Sequence, residues 1–128
     1  MITEPVLQAL FSELHRSIEE AATSCVAQIT SEGPSITYPP GEELTQADRQ
    51  ALRTLTVSPA ARAALHKLVA DACSWPVLHL FSLMDGVVDP QTDVGEWYGA
   101  TLESKREDDD EMLHDEFLEA YSTYKDGR

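Results

Sequence analysis

The chain has little cysteine and no recognisable leader. Cys25 and Cys73 are its only cysteines, and each stands within an apolar helical pattern. Two thiols so far apart do not make the disulfide framework of a small secreted domain, so we expect both to be reduced and buried. The N-terminus lacks the basic and uninterrupted apolar segments of a signal peptide. These absences favour a cytoplasmic location.

Long apolar runs and catalytic motifs are also missing. The most apolar window covers residues 72–84 and contains a proline and a histidine, whereas a membrane-spanning helix needs about 20 apolar residues. The sequence contains no G-x-S-x-G, glycine-rich phosphate loop, H-E-x-x-H or C-x-x-C. We therefore predict no membrane span and no cofactor, and the sequence favours a non-enzyme over an enzyme.

Basic residues are scarce. Nine Lys and Arg stand against 23 Asp and Glu, which gives a net charge of −14 in 128 residues. Such a charge repels nucleic acid and anionic membranes, and it leaves a basic protein surface as the favoured partner. The acidity is concentrated in residues 85–128, with 14 acidic and four basic residues, whereas residues 59–84 carry a charge of +1.

Most of the chain has helical periodicity. Residues 3–32 repeat apolar side chains at helical spacing until Gly33-Pro34. After a proline-rich loop, Thr45 and Asp48 resemble a capping box that opens a short helix running through Leu55. Ser58 and Pro59 then form a typical N-cap and first helical residue.

Residues 59–84 are apolar on nearly all sides, which predicts a central, buried helix. Pro76 interrupts this stretch, so we expect either a kink or two helices with Ser74 capping the second. The turn-rich segment that follows allows a small β-hairpin near residues 87–102, and a last amphipathic helix is predicted from about Glu107 to Tyr124. The predicted fold is mostly α, a single-domain helical bundle of five or six helices over residues 1–128.

The last predicted helix has carboxylates at every fourth position, which places Glu107, Glu111, Asp115 and Glu119 on one face. Acidic residues favour the first turn of a helix, but like charges four residues apart destabilise it further along. A breach of a local rule is typical of a functional surface, so we predict that these four residues bind a partner. The alternative is a face that only keeps the chain in solution.

Trp97 and Tyr98 lie close to this acidic region in sequence. Exposed aromatic residues are frequent anchors of protein interfaces, so both are included in the predicted partner-binding set. The alternative for Trp97 is that its ring folds back to cover the core.

Metal and nucleophile patterns are incomplete. Glu111 and His114 have the Glu-x-x-His spacing of di-iron bundles, but such sites also need two further glutamates and a second copy of the motif, and no other histidine has a glutamate three residues before it. Asp89, Gln91 and Asp93 place oxygen atoms at alternate positions like the start of a calcium loop, but its glycine and final glutamate are absent, and turn residues explain the pattern better. Neither cysteine has a base at hydrogen-bonding reach on its helix. No metal ligand and no catalytic residue is predicted.

Together these features predict a non-catalytic acidic interaction protein of the inhibitor, immunity or regulator type. Its C-terminal acidic helix would bind a basic surface of another protein, with no direct nucleic-acid or membrane partner. The alternative is a ligand-binding or enzymatic helical domain whose site lies in the seam near Pro76, with His66, His79 and Asp85 as its polar groups. The sequence makes no prediction of oligomeric state.

Overall fold

The computed structural model describes residues 2–31 and 33–127, and it is mostly helical, as predicted. Its four helices are α1 (Glu4–Ile29), α2 (Gln46–Arg53), α3 (Pro59–Met84) and α4 (Leu113–Asp126). No β-strand occurs in these described residues, so the predictions of five or six helices and of a hairpin near residues 87–102 are wrong. The number of helices is lower because α3 continues through Pro76, where the sequence allowed two helices.

The chain divides into two compact units. Unit 1 comprises Met1–Ala27 and Thr56–Ser104, and unit 2 comprises Gln28–Leu55 and Lys105–Arg128. Unit 1 contains most of α1 and all of α3, and unit 2 contains α2 and α4. The single domain over residues 1–128 stays a prediction.

The two helix starts predicted from capping residues are confirmed. The Thr45 hydroxyl accepts a hydrogen bond from the Asp48 N–H at 3.0 Å, and the Asp48 carboxylate accepts one from the Thr45 N–H at 2.9 Å. The bond from the Thr45 N–H to the carboxylate, and after it the interaction of the carboxylate with the Thr45 side chain, lower the pKa of Asp48 because they favour its charged form. At the start of α3 the Ser58 hydroxyl accepts from the Ala61 N–H at 3.1 Å, and Pro59 follows the cap.

Helix α3 runs through Pro76 without ending, so of the two predicted alternatives, a kink or two separate helices, the second is wrong. The Ser74 hydroxyl donates to the Asp71 carbonyl at 2.7 Å and does not cap a new helix. Proline removes one intrahelical N–H, but 17 residues on one side and eight on the other keep the helix continuous. The N-cap residue Ser58 and the C-cap residue Asp85 are therefore the two ends of one continuous helix.

In unit 1, α3 packs against α1 on one side only. The Phe11 and Phe81 rings meet edge to face with centroids 5.4 Å apart. Among the hydrophobic residues of the described chain, only Ala22 and Val26 on α1 are buried. The prediction that α3 is a central, buried helix is wrong, because its apolar side chains extend around the helix and α1 covers one side.

The two cysteines are less buried than the sequence predicts. Both thiols are free, as predicted, but Cys25 is exposed and Cys73 is only half-buried. The prediction that both are buried is therefore wrong. Cys25 lies on a side of α1 that α3 does not cover, and this difference could not be read from the apolar pattern of α1 alone.

Residues 97–100 close the C-terminal end of α3. The Trp97 indole N–H donates to the Leu83 carbonyl and the Ala100 N–H donates to the Met84 carbonyl, each at 2.9 Å. These bonds are made to carbonyls of the last turn of α3, which have no partner within the helix itself. The segment predicted as a hairpin is thus used as a cap on α3, which explains why its backbone forms no strand pair.

Across residues 2–31 and 33–127, none of the helices has both the length and the apolar character that crossing a membrane requires.

Candidate partner-binding surface

The four carboxylates predicted to share a helical face do not do so. Helix α4 begins at Leu113, so Glu107 and Glu111 lie before it, and only Asp115 and Glu119 remain one turn apart on the helix. The prediction of a helix from about Glu107 is wrong in this respect. Five consecutive acidic residues at 107–111 would repel one another in a helix, and the helix dipole compensates only within the first turn.

The acidic residues before α4 form a turn held by the backbone. The Arg106 N–H donates to the Asp109 carboxylate at 2.8 Å, and the Asp109 N–H donates to the Arg106 carbonyl at 3.1 Å. The Lys105 ammonium donates to the Glu111 carbonyl at 2.6 Å. The one lysine close to this turn therefore binds a main-chain oxygen and leaves the carboxylates without an ion pair.

The carboxylates of unit 2 remain largely uncompensated. Residues 105–128 contain nine acidic and four basic residues, a net charge of −5. Within the described part of this segment, one contact of salt-bridge length involves an acidic side chain: the Asp115 carboxylate lies 3.4 Å from His114 Nε2, an imidazole that carries charge only when protonated. No lysine or arginine of the described residues pairs with Glu107, Glu111 or Glu119.

The opposite face of α4 is aromatic and lies against the loop before α2. The Tyr38 and Tyr121 rings meet edge to face at 5.5 Å, and the Tyr121 and Tyr124 centroids are 6.1 Å apart. Phe117 is 67% exposed. We call this surface the tyrosine groove; it has a volume of about 320 Å³ and is lined by Tyr38, Phe117, Ala120, Tyr121 and Tyr124.

The sequence predicts the α4 part of the tyrosine groove but misses Tyr38. Phe117, Ala120, Tyr121 and Tyr124 recur at helical spacing, so periodicity places them on one face. Tyr38 stands in a proline-rich loop that carries no periodic signal. Its position beside Tyr121 is a tertiary contact that spacing cannot reveal.

Trp97 and Tyr98 lie in unit 1 and differ from each other in exposure. Trp97 is half-buried and bonded to the Leu83 carbonyl, which is the arrangement given as its alternative. Tyr98 is 83% exposed, and its hydroxyl donates to the Glu96 carboxylate. That hydrogen bond, together with a smaller contribution from burial, raises the pKa of Tyr98 because it favours the protonated phenol.

A second cavity lies between α1 and α3 in unit 1. Its volume is about 600 Å³, and it is lined by Thr23, Val26, Ala27, Val57, Pro59, Arg62, Ala63 and His66. His66 Nε2 is 3.2 Å from the Thr23 hydroxyl and 3.5 Å from the Glu19 carboxylate. Both groups approach the same ring nitrogen, so this imidazole cannot pass a proton between them as a catalytic triad does. In the sequence, the sign of this contact is that Glu19 and Thr23 are four residues apart, which places them on the same face of α1.

The polar residues of the alternative site near Pro76 do not converge. His66 lines the cavity between α1 and α3, whereas Asp85 lines a separate groove beside Phe11 and Leu102. Their positions on α3 are about 28 Å apart along the helix axis. His79 is exposed. No group of three His, Cys, Asp or Glu residues in the described chain is arranged to hold a metal ion.

Comparison with protein-family models, with curated proteins and with solved structures found no match to this chain.

Proposed function

We propose that this chain is a non-catalytic interaction protein that binds a basic segment of another protein through unit 2. The observation that carries the proposal is the uncompensated charge of residues 105–128, together with the exposed tyrosine groove on the same helix. Glu107, Glu111, Asp115 and Glu119 supply negative charge, and the groove supplies contact area. The proposed surface does not include Trp97, because its indole N–H is already bonded within unit 1.

Charge favours a basic partner for a physical reason. An excess of five negative charges within 24 residues attracts cationic surfaces and repels acidic ones, and this attraction raises the association rate more than the final affinity. Exposed ion pairs contribute roughly 0.2–1 kcal/mol each, so several are needed. Asp115 and Glu119 lie one turn apart, and the turn at residues 106–109 adds further carboxylates beside the start of α4.

The tyrosine groove suits arginine or lysine side chains with apolar residues beside them. A cation over an aromatic ring gains about 0.5–1 kcal/mol at an exposed site, and the side-chain stem packs on the ring edges. Phe117 and Tyr124 expose more than half of their side chains, so their rings are accessible. A basic amphipathic segment therefore matches both faces better than a purely polar one.

The proposal is tested with a charge-neutralised variant and a matched control. Asp115→Asn with Glu119→Gln removes two charges from α4, and Asp89→Asn with Glu103→Gln removes two charges from exposed positions of unit 1. The probe is a fluorescent synthetic helix of arginine and leucine, titrated by anisotropy. We expect the α4 variant to weaken binding roughly threefold to thirtyfold and the control to change it less than twofold.

The native partner gives a second readout. Reversal of Glu111, Asp115 and Glu119 to lysine should abolish its capture from a cell extract, while the circular dichroism spectrum stays unchanged. Equal weakening by the α4 variant and its control would show that only total charge matters, and normal capture by the reversed variant would remove the proposal.

A further inference from the structure

Helix α3 presents an apolar surface that unit 1 leaves uncovered. We call it the outer strip of α3; it consists of the exposed residues Ala61, Ala64, Leu68, Ala72, Trp75 and Leu78. Ala61, Ala64, Leu68, Trp75 and Leu78 follow a heptad spacing along the side opposite the contact with α1; the remaining position of that spacing is the exposed Asp71, with Ala72 beside it. Leu68, Trp75 and Leu78 are 65%, 66% and 62% exposed. A contiguous exposed patch of such side chains is typical of an interaction surface.

We propose that the outer strip of α3 is a homodimer interface, on which the α3 of a second copy packs in an antiparallel direction. The proposal uses unit 1 alone and is independent of the proposed function of unit 2. Three properties of the strip favour a second copy over another occupant, namely its distribution of side-chain size, its charge and its area.

Side-chain size along the strip is graded from small to large. Ala61 and Ala64 stand in the N-terminal half, and Trp75 and Leu78 stand in the C-terminal half. In a parallel pair the tryptophans would face each other and the alanines would leave a gap. In an antiparallel pair with its twofold axis near Val69, Ala64 faces Trp75 of the second copy and Ala61 faces Leu78. A strip that is complementary to itself in this way requires an isologous pair.

The charges of α3 agree with the same register. Lys67 and Asp71 stand on either side of that axis, and neither forms an ion pair within the described residues. An antiparallel pair brings Lys67 of each copy to the level of Asp71 of the other, which gives two symmetric ion pairs. Residues 59–84 carry a net charge of +1 in a chain of −14, so this is the surface on which two copies repel each other least.

The strip is large enough for a reversible dimer. It runs about 26 Å along the helix from Ala61 to Leu78. With two-thirds of each large side chain exposed, at roughly 150–250 Å² per side chain, the three large residues and the alanines expose about 500 Å² in each copy. Two copies would bury about 1,000 Å², which is at the lower limit for a specific interface. We therefore expect a dissociation constant in the micromolar range.

Sedimentation equilibrium of the full chain over a wide concentration range measures the association. We expect a monomer–dimer equilibrium that Leu78→Glu weakens more than tenfold. The matched control is Leu80→Glu, which places the same change two residues away on an exposed flank outside the strip, and which should leave the dimer intact. Circular dichroism checks that both variants stay helical.

Two further measurements test direction and register. Lys67→Asp should weaken the dimer, and Lys67→Asp combined with Asp71→Lys should restore it. Both residues are exposed in the monomer, so neither change alters the contact between α3 and α1. In a cysteine-free chain, spin labels at Ala60 should lie about 30 Å apart in an antiparallel dimer, whereas a parallel pair would place them within about 20 Å.

Each contrary result overturns the proposal. A monomer at all concentrations shows that no second copy binds, and a dimer that persists in Leu78→Glu lies on another surface. A monomer in which Trp75 is protected from a fluorescence quencher shows that a segment of the same chain covers the strip. Rising salt should strengthen this dimer, because it screens repulsion between two chains of charge −14.

Discussion

Replacing Gly99 by alanine should destabilise unit 1 far more than the same change at Gly95. Both glycines have positive φ angles, +105° at Gly99 and +84° at Gly95, which side-chain-bearing residues rarely adopt. A Cβ at Gly95 would meet nothing within 4 Å, whereas a Cβ at Gly99 would overlap the Met84 carbonyl oxygen. The two variants share the backbone strain and differ in the collision with the end of α3.

The magnitudes follow from these two terms. Alanine with positive φ costs about 1–2 kcal/mol, and the stiffer unfolded chain returns about 0.4–1 kcal/mol, so Gly95→Ala should cost roughly 1 kcal/mol. At Gly99 the backbone must also shift and lose the hydrogen bond from Ala100 to Met84, 2.9 Å in the structure. That loss and the displaced cap add about 2 kcal/mol, so Gly99→Ala should cost about 3 kcal/mol.

Urea unfolding followed by tryptophan fluorescence measures the difference. Trp75 and Trp97 both lie in unit 1, so the signal reports that unit. Wild type and variants are compared at one protein concentration, because association shifts apparent stability. For an m-value of roughly 1–2 kcal/mol/M, the midpoint of Gly99→Ala should fall about 1–2 M below that of Gly95→Ala. Equal midpoints would refute the contact between residues 97–100 and the end of α3.

Two further outcomes follow from hydrogen bonds in each unit. The pKa of Asp48 is below its usual value of 3.8, so its charged form stabilises α2 above that pH, and this contribution is lost as the pH falls through the lowered pKa. The protection factors of the α2 amides, which correct for the pH dependence of intrinsic exchange, should therefore fall below about pH 4 in wild type, whereas those of Asp48→Asn should lack this fall. Trp97→Phe should lower the free energy of unfolding by about 0.5–1 kcal/mol, as measured by urea unfolding followed by circular dichroism. The loss is small because the Leu83 carbonyl keeps its bond from the Gly86 N–H. An unchanged free energy of unfolding would contradict the indole bond.

The features that the sequence predicted correctly are local. Thr45 with Asp48, and Ser58 with Pro59, identify helix starts because the bonding groups are within three residues of each other. The mostly helical fold class follows from periodicity in the same way. Each of these inferences needs only the geometry of one turn of backbone.

The features that the sequence could not predict depend on contacts between distant residues. Helix α3 is apolar on nearly all sides, so periodicity could not show which side α1 covers and which side stays exposed. The Trp97 bond to Leu83 joins residues 14 positions apart, and it replaced the predicted hairpin. The start of α4 at Leu113 reflects repulsion among carboxylates, which weakens a helix that the apolar pattern alone extends to Glu107.

The uneven distribution of charge separates the two proposed associations by the sign of their salt dependence. Binding of a basic segment by residues 105–128 is an attraction between opposite charges, so added salt must weaken it. Pairing through the outer strip of α3 joins apolar side chains while two acidic chains repel, so added salt must strengthen it. A single surface that served both purposes could show only one of these signs. We expect the dimer to strengthen and the binding of the basic segment to weaken as salt rises. If Leu78→Glu abolishes only the dimer, and Asp115→Asn with Glu119→Gln reduces only the binding of the basic segment, each association is assigned to its own helix.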